Sequence, residues 1–361
     1  MKIAYFISSH GFGHAARACA VMHALAQAGD FEFLIFSETP EWFFQKSLNM
    51  NFIFFPLKTD IGLIQKSPFE EDLLQTVHRL REYFPLDSKF VYSVADLLLE
   101  YDIKFVLTDI SVLGILAGEW LKIPTVLIEN FTWDWIYESY VEEFPCFREI
   151  ISYLQEIYKR VAYRIQAIPY CESVDHGFKV PPIFRKESAD AQQLKVNLGI
   201  GKEKLILVTM GGIPLESVNL FSQLQIPDTV MLVTGGNVNQ ITRVGNLIQL
   251  PHSHNFFHPD LVHQADMVIG KVGYSTIAEV YSTNTPFLYY KRPKFRESRV
   301  LEEYIKHNLV GESINEDDFL TGNIFHKIEK YLNLKRKGDV KFILNGADAV
   351  VDFLRWKKLI K

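Results

Sequence analysis

The sequence predicts an α/β protein made of two doubly wound, Rossmann-like domains that face a shared cleft. Three observations lead there. The chain has 361 residues, more than one ordinary hydrophobic core accommodates. Short, continuous apolar runs alternate with longer amphipathic stretches, as strands buried on both faces alternate with the helices that cover them. The alternation breaks at residues 180–203, a stretch with Pro181-Pro182, a charged run, Gly199 and Gly201, and then starts again.

In the first half the expected strands are Ile3–Ser8, Phe31–Ser37, Phe52–Pro56, Phe105–Thr108, Thr125–Ile128 and Arg164–Ile168. Helical patterns such as Ala15–Gly29 and Val112–Leu121 lie between them. The second half has Leu205–Met210, Val230–Thr234, Leu247–Leu250, Met267–Ile269 and Pro286–Tyr290. This gives one domain over residues 1–180 and a second over 181–346, with a last helix in 347–361 returning to the first. Ligands of such sheets sit at the carboxyl ends of the strands.

Composition excludes several classes. Hydrophobic residues make up 48% of the chain, too many for a disordered protein. With 38 basic and 43 acidic residues there is no basic surplus for general nucleic-acid binding. Cys19, Cys146 and Cys171 form no paired motif, so neither a disulfide framework nor a zinc site is expected and a cytoplasmic setting is the default. No apolar run is long enough for a membrane span. The aromatic stretch from Trp42-Phe43-Phe44 to Phe52-Ile53-Phe54-Phe55 reads as core; exposed, it would offer peripheral contact with the inner face of a membrane.

The first strand runs into Ser8-Ser9-His10-Gly11-Phe12-Gly13-His14 and a helix begins near Ala15. Glycines let a backbone approach a ligand, and a helix start favours an anion. The spacing is not that of a dinucleotide site. His14 falls on the first turn, either facing the cleft or only packing that turn. Asp109 follows the buried run Phe105–Thr108, and strand ends of one parallel sheet share a rim. Asp109 therefore either orients His14, raising the basicity of its far nitrogen, or caps the helix that starts at Ser111. Trp133-Asp134-Trp135 follows another strand end and suits either sugar stacking or packing between helices.

In the second half Met267-Val268-Ile269-Gly270-Lys271-Val272-Gly273-Tyr274-Ser275-Thr276 is a strand, a glycine loop and a helix start, an arrangement that receives a diphosphate. Glu279 stands three residues after Thr276, so it either completes a capping box or accepts from the ribose of a nucleotide. Gly211-Gly212 and Gly235-Gly236 add two glycine turns to the same rim. His252, His254, His258 and His263 fit no metal-ligand spacing; a loop-and-helix rim accounts for them.

Taken together, the segment Gly270–Glu279 and the Pro286-Phe287-Leu288 that follows resemble the donor-binding motif of the GT-B glycosyltransferases, whose members include MurG and the UDP-glycosyltransferases. A closer likeness is to the glycosyltransferase-like N-terminal half of plant L-arabinokinases. It rests on Ser9–Arg17, Asn130–Tyr137 and Gly270–Thr276, with patchy similarity elsewhere. No phosphate loop of a sugar kinase is present, so sugar phosphorylation is not implied.

The resemblance implies a nucleoside-diphosphate sugar as donor substrate, with UDP the expected nucleotide and no further cofactor or metal. It implies that Gly211, Gly212, Lys271, Gly273, Tyr274, Ser275, Thr276 and Glu279 hold the donor, with Phe257 near the base. Gly11, Gly13, Arg17, Asn130, Trp133 and Asp134 fall on the acceptor side, His14 is the candidate base and Asp109 its partner. The acceptor, small or lipid-linked, is not specified. Lys271, Arg292 or Arg296 would steady the leaving diphosphate. One departure stands out: Lys294-Phe295-Arg296-Glu297-Ser298-Arg299 replaces the acidic-then-glutamine signature that reads the donor sugar. An epimerase or hydrolase on the same fold, or a non-catalytic nucleotide-sugar binder, are the rival readings.

Overall fold

The computed structural model describes residues 1–67, 70–210, 224, 226–251, 254–334 and 343–361. They form two compact units, Met1–Phe184 with Phe295–Glu297 and Leu344–Lys361, and Arg185–Lys294 with Ser298–Ile343.

The first unit holds a seven-stranded sheet of β1 (Lys2–Ile7), β2 (Glu32–Ser37), β3 (Phe52–Pro56), β6 (Val106–Asp109), β7 (Thr125–Glu129), β8 (Tyr163–Ala167) and β9 (Phe178–Val180). Their order is β3-β2-β1-β6-β7-β8-β9 and every pairing is parallel. A small antiparallel pair, β4 (Gln65–Ser67) and β5 (Glu70–Glu71), stands apart. Ile3 through Ile7 are wholly buried, which is why β1 reads as unbroken apolar sequence: helices cover both its faces. The chain winds outward from β1 to β3, then crosses back to β6 on the other side of β1. Loops leaving β1 and β6 therefore diverge, and a doubly wound sheet opens its crevice at that switch point.

The second unit repeats the plan with β10 (Lys204–Thr209), β11 (Thr229–Gly236), β12 (Thr242–Val244), β13 (Leu247–Pro251), β14 (Met267–Lys271), β15 (Phe287–Tyr290) and β16 (Gly311–Ile314). The order is β12-β13-β11-β10-β14-β15-β16, with only β12 antiparallel, so its switch point lies between β10 and β14. Apolar side chains from the two faces of this sheet fill two separate cores.

The edge strands escape a reading based on apolar runs. β9 is three residues with a central Lys179, β12 is Thr-Arg-Val, and β16 is Gly-Glu-Ser-Ile; half-covered edge positions tolerate polar side chains. In the aromatic stretch Phe43 and Phe44 are buried, while β3, an edge, leaves Ile53 exposed. Among the described residues no helix is long and apolar enough to cross a membrane.

The last helix, Gly346–Trp356, belongs to the first unit. Asn345 caps it by accepting from the Ala347 amide (3.0 Å) and donates to the Phe184 carbonyl (2.9 Å). Arg355 reaches the Ala28 carbonyl at 3.1 Å. Gly346 donates to the Pro182 carbonyl, and a Cβ placed there would lie 2.1 Å from the Pro181 carbonyl oxygen. Gly346→Ala is therefore expected to cost about 1–3 kcal/mol by overpacking, read as a lower midpoint in thermal unfolding. An unchanged midpoint would mean the helix shifts freely.

Candidate functional site

Strand β1 ends opposite β6, with Ile7 in register with Asp109, and the Ser8 amide donates to the Asp109 carbonyl at 3.2 Å. The loop after β1, in which Gly11 takes φ +72°, leads into the helix Gly13–Ala28. His14 and Arg17, three residues apart, share the helix face that looks onto Asp109. The His14 Nδ1 lies 2.7 Å from Asp109 Oδ1. Arg17 donates from Nε to Asp109 Oδ2 and from Nη2 to Oδ1, both at 2.7 Å. Its Nη1 donates to Asn130 Oδ1, and the Asn130 amide donates to Glu297 Oε1 at 2.7 Å.

All of these groups except the rim of the imidazole are closed off from water: Asp109 is 0% exposed, Arg17 2% and His14 6%. Burial pushes the Asp109 carboxyl up; the Arg17 guanidinium and then His14 more than offset it, and the carboxyl is held below the usual carboxylate range. An ionised carboxylate only accepts, so the proton between it and His14 sits on Nδ1. That bond to Asp109 commits Nδ1 and leaves Nε2 as the nitrogen with the free lone pair.

Asp109 does not cap the next helix, Val112–Leu121, whose cap residue is Ser111. Between them Ile110 adopts φ +56°, a left-handed conformation that a β-branched residue takes at a cost of about 1–3 kcal/mol. Full burial of its side chain and a 2.6 Å hydrogen bond from the Tyr158 hydroxyl to its carbonyl hold it there. This kink turns the backbone sharply after Asp109.

Trp133 and Trp135 are both buried in the short helix Trp133–Glu138, which favours packing over a stacking face. Trp133 Nε1 donates to Asp60 Oδ2 at 2.9 Å. Asp134 is pushed up by burial, against a hydrogen bond from Thr132. Arg296 lies 4.0 Å over the Trp135 ring and pairs with Glu138 at 2.6 Å, so its guanidinium is engaged within the first unit. The residues Phe295–Glu297 that depart from the donor-sugar signature are thus the ones that pack with Trp135 and Asn130.

In the second unit β14 ends at Lys271, and the helix Tyr274–Thr283 begins after Gly273. No side chain caps that helix start, and a Cβ on Gly273 would meet nothing within 4 Å. Gly273, as the cap residue, has no side chain to accept from the amides of this first turn. The capping-box reading of Thr276 and Glu279 fails, because Thr276 lies inside the helix. Glu279 instead accepts from Arg185 Nη2 (2.8 Å) and Nε (3.2 Å) at Oε1, and its Oε2 lies 2.6 Å from His258 Nδ1. His258 Nε2 in turn meets the Thr209 hydroxyl at 3.0 Å, and the Arg185 guanidinium lies 5.1 Å from the Phe257 ring centre. Gly211, Gly212 and His252 lie outside the described residues.

Burial pushes Glu279 up, but Arg185 and then His258 outweigh it and the carboxyl is lowered from 4.5 to about 2. A depressed carboxylate stabilises the fold fully above its unfolded value and loses that contribution as pH falls through the folded one. The shift corresponds to about 3 kcal/mol at neutral pH. Wild type and Glu279→Gln should therefore differ in urea-unfolding free energy at about pH 6 and converge toward about pH 2. An equal gap at both pH values would rule out the ionised network.

Comparison with known proteins adds the family. A family profile described as Glycosyl transferase family 1 matches residues 1–319. The chain belongs to that glycosyltransferase family. L-arabinokinase of Arabidopsis thaliana is 25% identical over 350 residues, covering 93% of this chain and 32% of the relative. The chain thus spans about a third of that curated relative's length. Among solved structures it is similar to MurG of Acinetobacter baumannii (TM-score 0.57, 15% identity, 98% of this chain and 99% of that one). It is also similar to the Streptomyces glycosyltransferase SsfS6 (0.61, 16%, 98% and 99%) and to Phytolacca americana UGT2, solved with UDP-2-fluoroglucose and pterostilbene (0.61, 11%, 99% and 100%). These likenesses show the GT-B fold, two Rossmann-like sheets, as the sequence led one to expect.

The family member carries polar groups that the sequence reading passed over. Asp109 closes β6 and Asp60 lies a short loop past β3, and a carboxylate at or beyond a strand end was the available signal. Arg185 and His258 gave none; one stands in the linker and the other opens the short helix His258–Gln264.

Proposed function

We propose that the protein transfers a sugar from a nucleoside-diphosphate sugar to an acceptor hydroxyl, with His14 as general base and Asp109 orienting it. The observation that carries this reading is the buried Asp109–His14 hydrogen bond at the switch point of the first sheet, in a chain that belongs to a glycosyltransferase family over residues 1–319. His14 Nε2 takes the proton from the acceptor hydroxyl as its oxygen bonds to the anomeric carbon. The bond from that carbon to the diphosphate breaks, and the nucleoside diphosphate leaves with the electron pair. Arg17 and Asn130 keep Asp109 in place; Arg17 touches no reacting atom and acts as a positioning residue.

For the donor, the glycine-capped start of Tyr274–Thr283 presents the positive end of a helix to a diphosphate, with Ser275, Thr276 and Lys271 beside it. Those groups supply the charge stabilisation that transfer needs, so a chelator is expected to leave the rate unchanged. Glu279 would hold the ribose by exchanging part of its Arg185 and His258 bonding for ribose hydroxyls. UDP is the nucleotide to try first, since UGT2 was solved with a UDP sugar.

Thermal-shift titration with UDP, GDP, ADP and dTDP sugars tests the donor, because a ligand that binds only the folded state raises the midpoint. Release of free nucleotide that depends on an added acceptor marks a transferase; acceptor-independent release marks a hydrolase instead. No shift with any of them would end the proposal.

A further inference from the structure

The first unit contains a cavity of about 290 Å³ beside the loop that follows β1. Glu38, Lys58, Asp60, Gln65, Arg79 and His10 contribute most of its polar wall, and three aliphatic side chains complete it. The part that carries Asp60 is fixed from several sides. The Thr59 hydroxyl donates to the Ile7 carbonyl (2.8 Å), and the Ser111 hydroxyl donates to the Thr59 carbonyl (2.9 Å). Trp133 donates to Asp60 and the Tyr137 hydroxyl donates to the Gly62 carbonyl at 2.8 Å. Gly62 itself sits at φ +64°, where an added Cβ would press on His10 and Trp133 at 3.0–3.1 Å. Only glycine suits both the conformation and the space.

Asp60 is 4% exposed. Burial pushes its carboxyl up, and the hydrogen bond from Trp133 offsets that only in part. It is a carboxyl held rigidly in a cavity wall and short of donors, which is the mark of a site made for a ligand. The rest of the wall says which ligand. Lys58 and Glu38 lie 4.0 Å apart, and Arg79 shares its charge with Glu82 at 3.1 Å, so neither sign dominates as it would for a phosphate. The wall is too polar for an aromatic aglycone and the volume too small for a prenyl chain, with room for about a dozen non-hydrogen atoms. Carboxylates that accept beside cations that donate are the mix that pairs with neighbouring hydroxyls. Trp133, whose indole donates to Asp60 in that wall, has its ring 6.3 Å from that of His14.

We infer that this cavity takes the acceptor as one uncharged sugar ring, with Asp60 and Glu38 accepting from its hydroxyls and Lys58 and Arg79 donating to them. The inference rests on the transferase reading for its role in the reaction, while the binding itself stands separately.

Binding of methyl glucoside, methyl galactoside and methyl mannoside to the full chain, followed by saturation-transfer NMR, tests it against 1-naphthol and geranyl phosphate. The methyl glycosides are expected to bind, and Asp60→Asn to weaken the best of them at least tenfold. Lys58→Ala, at a part-exposed side chain, is expected to weaken it severalfold and keeps the test alive if Asp60→Asn does not fold. Binding of 1-naphthol or geranyl phosphate in place of the glycosides would overturn the inference. So would the absence of glycoside binding, or glycoside binding indifferent to both substitutions. Glycoside binding that depends on Asp60, in a protein that responds to no nucleotide sugar, would uphold the cavity and sink the transferase reading alone.

Discussion

His14→Gln is expected to lower kcat for sugar transfer by about 10²–10⁴-fold while leaving the donor-induced thermal shift unchanged. The reason lies in which nitrogen is committed. Asp109 is ionised and accepts from Nδ1, so Nε2 is the nitrogen able to take a proton, and the ring cannot turn without breaking a 2.7 Å bond in a buried site. Glutamine fills a comparable space and can still donate to Asp109, but its amide takes no proton at neutral pH. The substitution therefore separates proton transfer from packing. A second readout guards against a purely structural effect: the acid limb of the pH–rate profile that a histidine base produces should vanish in the variant. A kcat within about threefold of wild type, or an acid limb that persists, would remove His14 from the reaction. Donor binding is the internal control, since the groups proposed to receive the nucleotide belong to the other unit.

The sequence reveals the scaffold more fully than the site, and the cause is physical. A central strand buried on both faces must be apolar throughout, so β1, β2 and β10 announce themselves. A carboxylate just past such a strand stands out against it, which is how Asp109 could be paired with His14 before any distance was known. What decides the character of the pair, however, is Arg17. Its position one helical turn from His14 is visible in the sequence, but its forked bonding to Asp109 is a matter of three dimensions. The same holds for Glu279. The motif marks it, yet the partners that set its charge, Arg185 and His258, come from a linker and the first turn of a short helix, where no apolar period singles them out. Trp133 and Asp60 stand 73 residues apart and meet only because β3 and β7 deliver their loops to one rim. Polar contacts of this kind leave no trace in hydrophobic periodicity, and their residues are the ones a family motif names without explaining.

Arg17→Met should be the most destabilising single change in the first unit, by about 3–5 kcal/mol in urea unfolding, because it strands the Asp109 charge in the interior with only the His14 hydrogen bond for its side chain. The sign of the pH response should change with it. In the wild type the Asp109 carboxyl is held low, so its contribution is complete above the ordinary carboxylate range and is lost as pH falls through the folded value. Burial is the largest influence on that carboxyl and acts in the opposite direction. With the guanidinium gone burial is expected to win, and a carboxyl raised in the folded state stabilises at low pH and ceases to do so as pH rises. The gap between wild type and Arg17→Met should thus widen from acid toward neutral pH. Adding Asp109→Leu to Arg17→Met removes the stranded charge along with its lost partner, and should recover much of the stability, since a buried ion pair replaced as a pair costs far less than one broken in half. If the double variant were as unstable as the sum of the two single ones, the ion pair would not be what holds these strand ends together, and the packing around Tyr5 and Phe131 would have to take its place in the account.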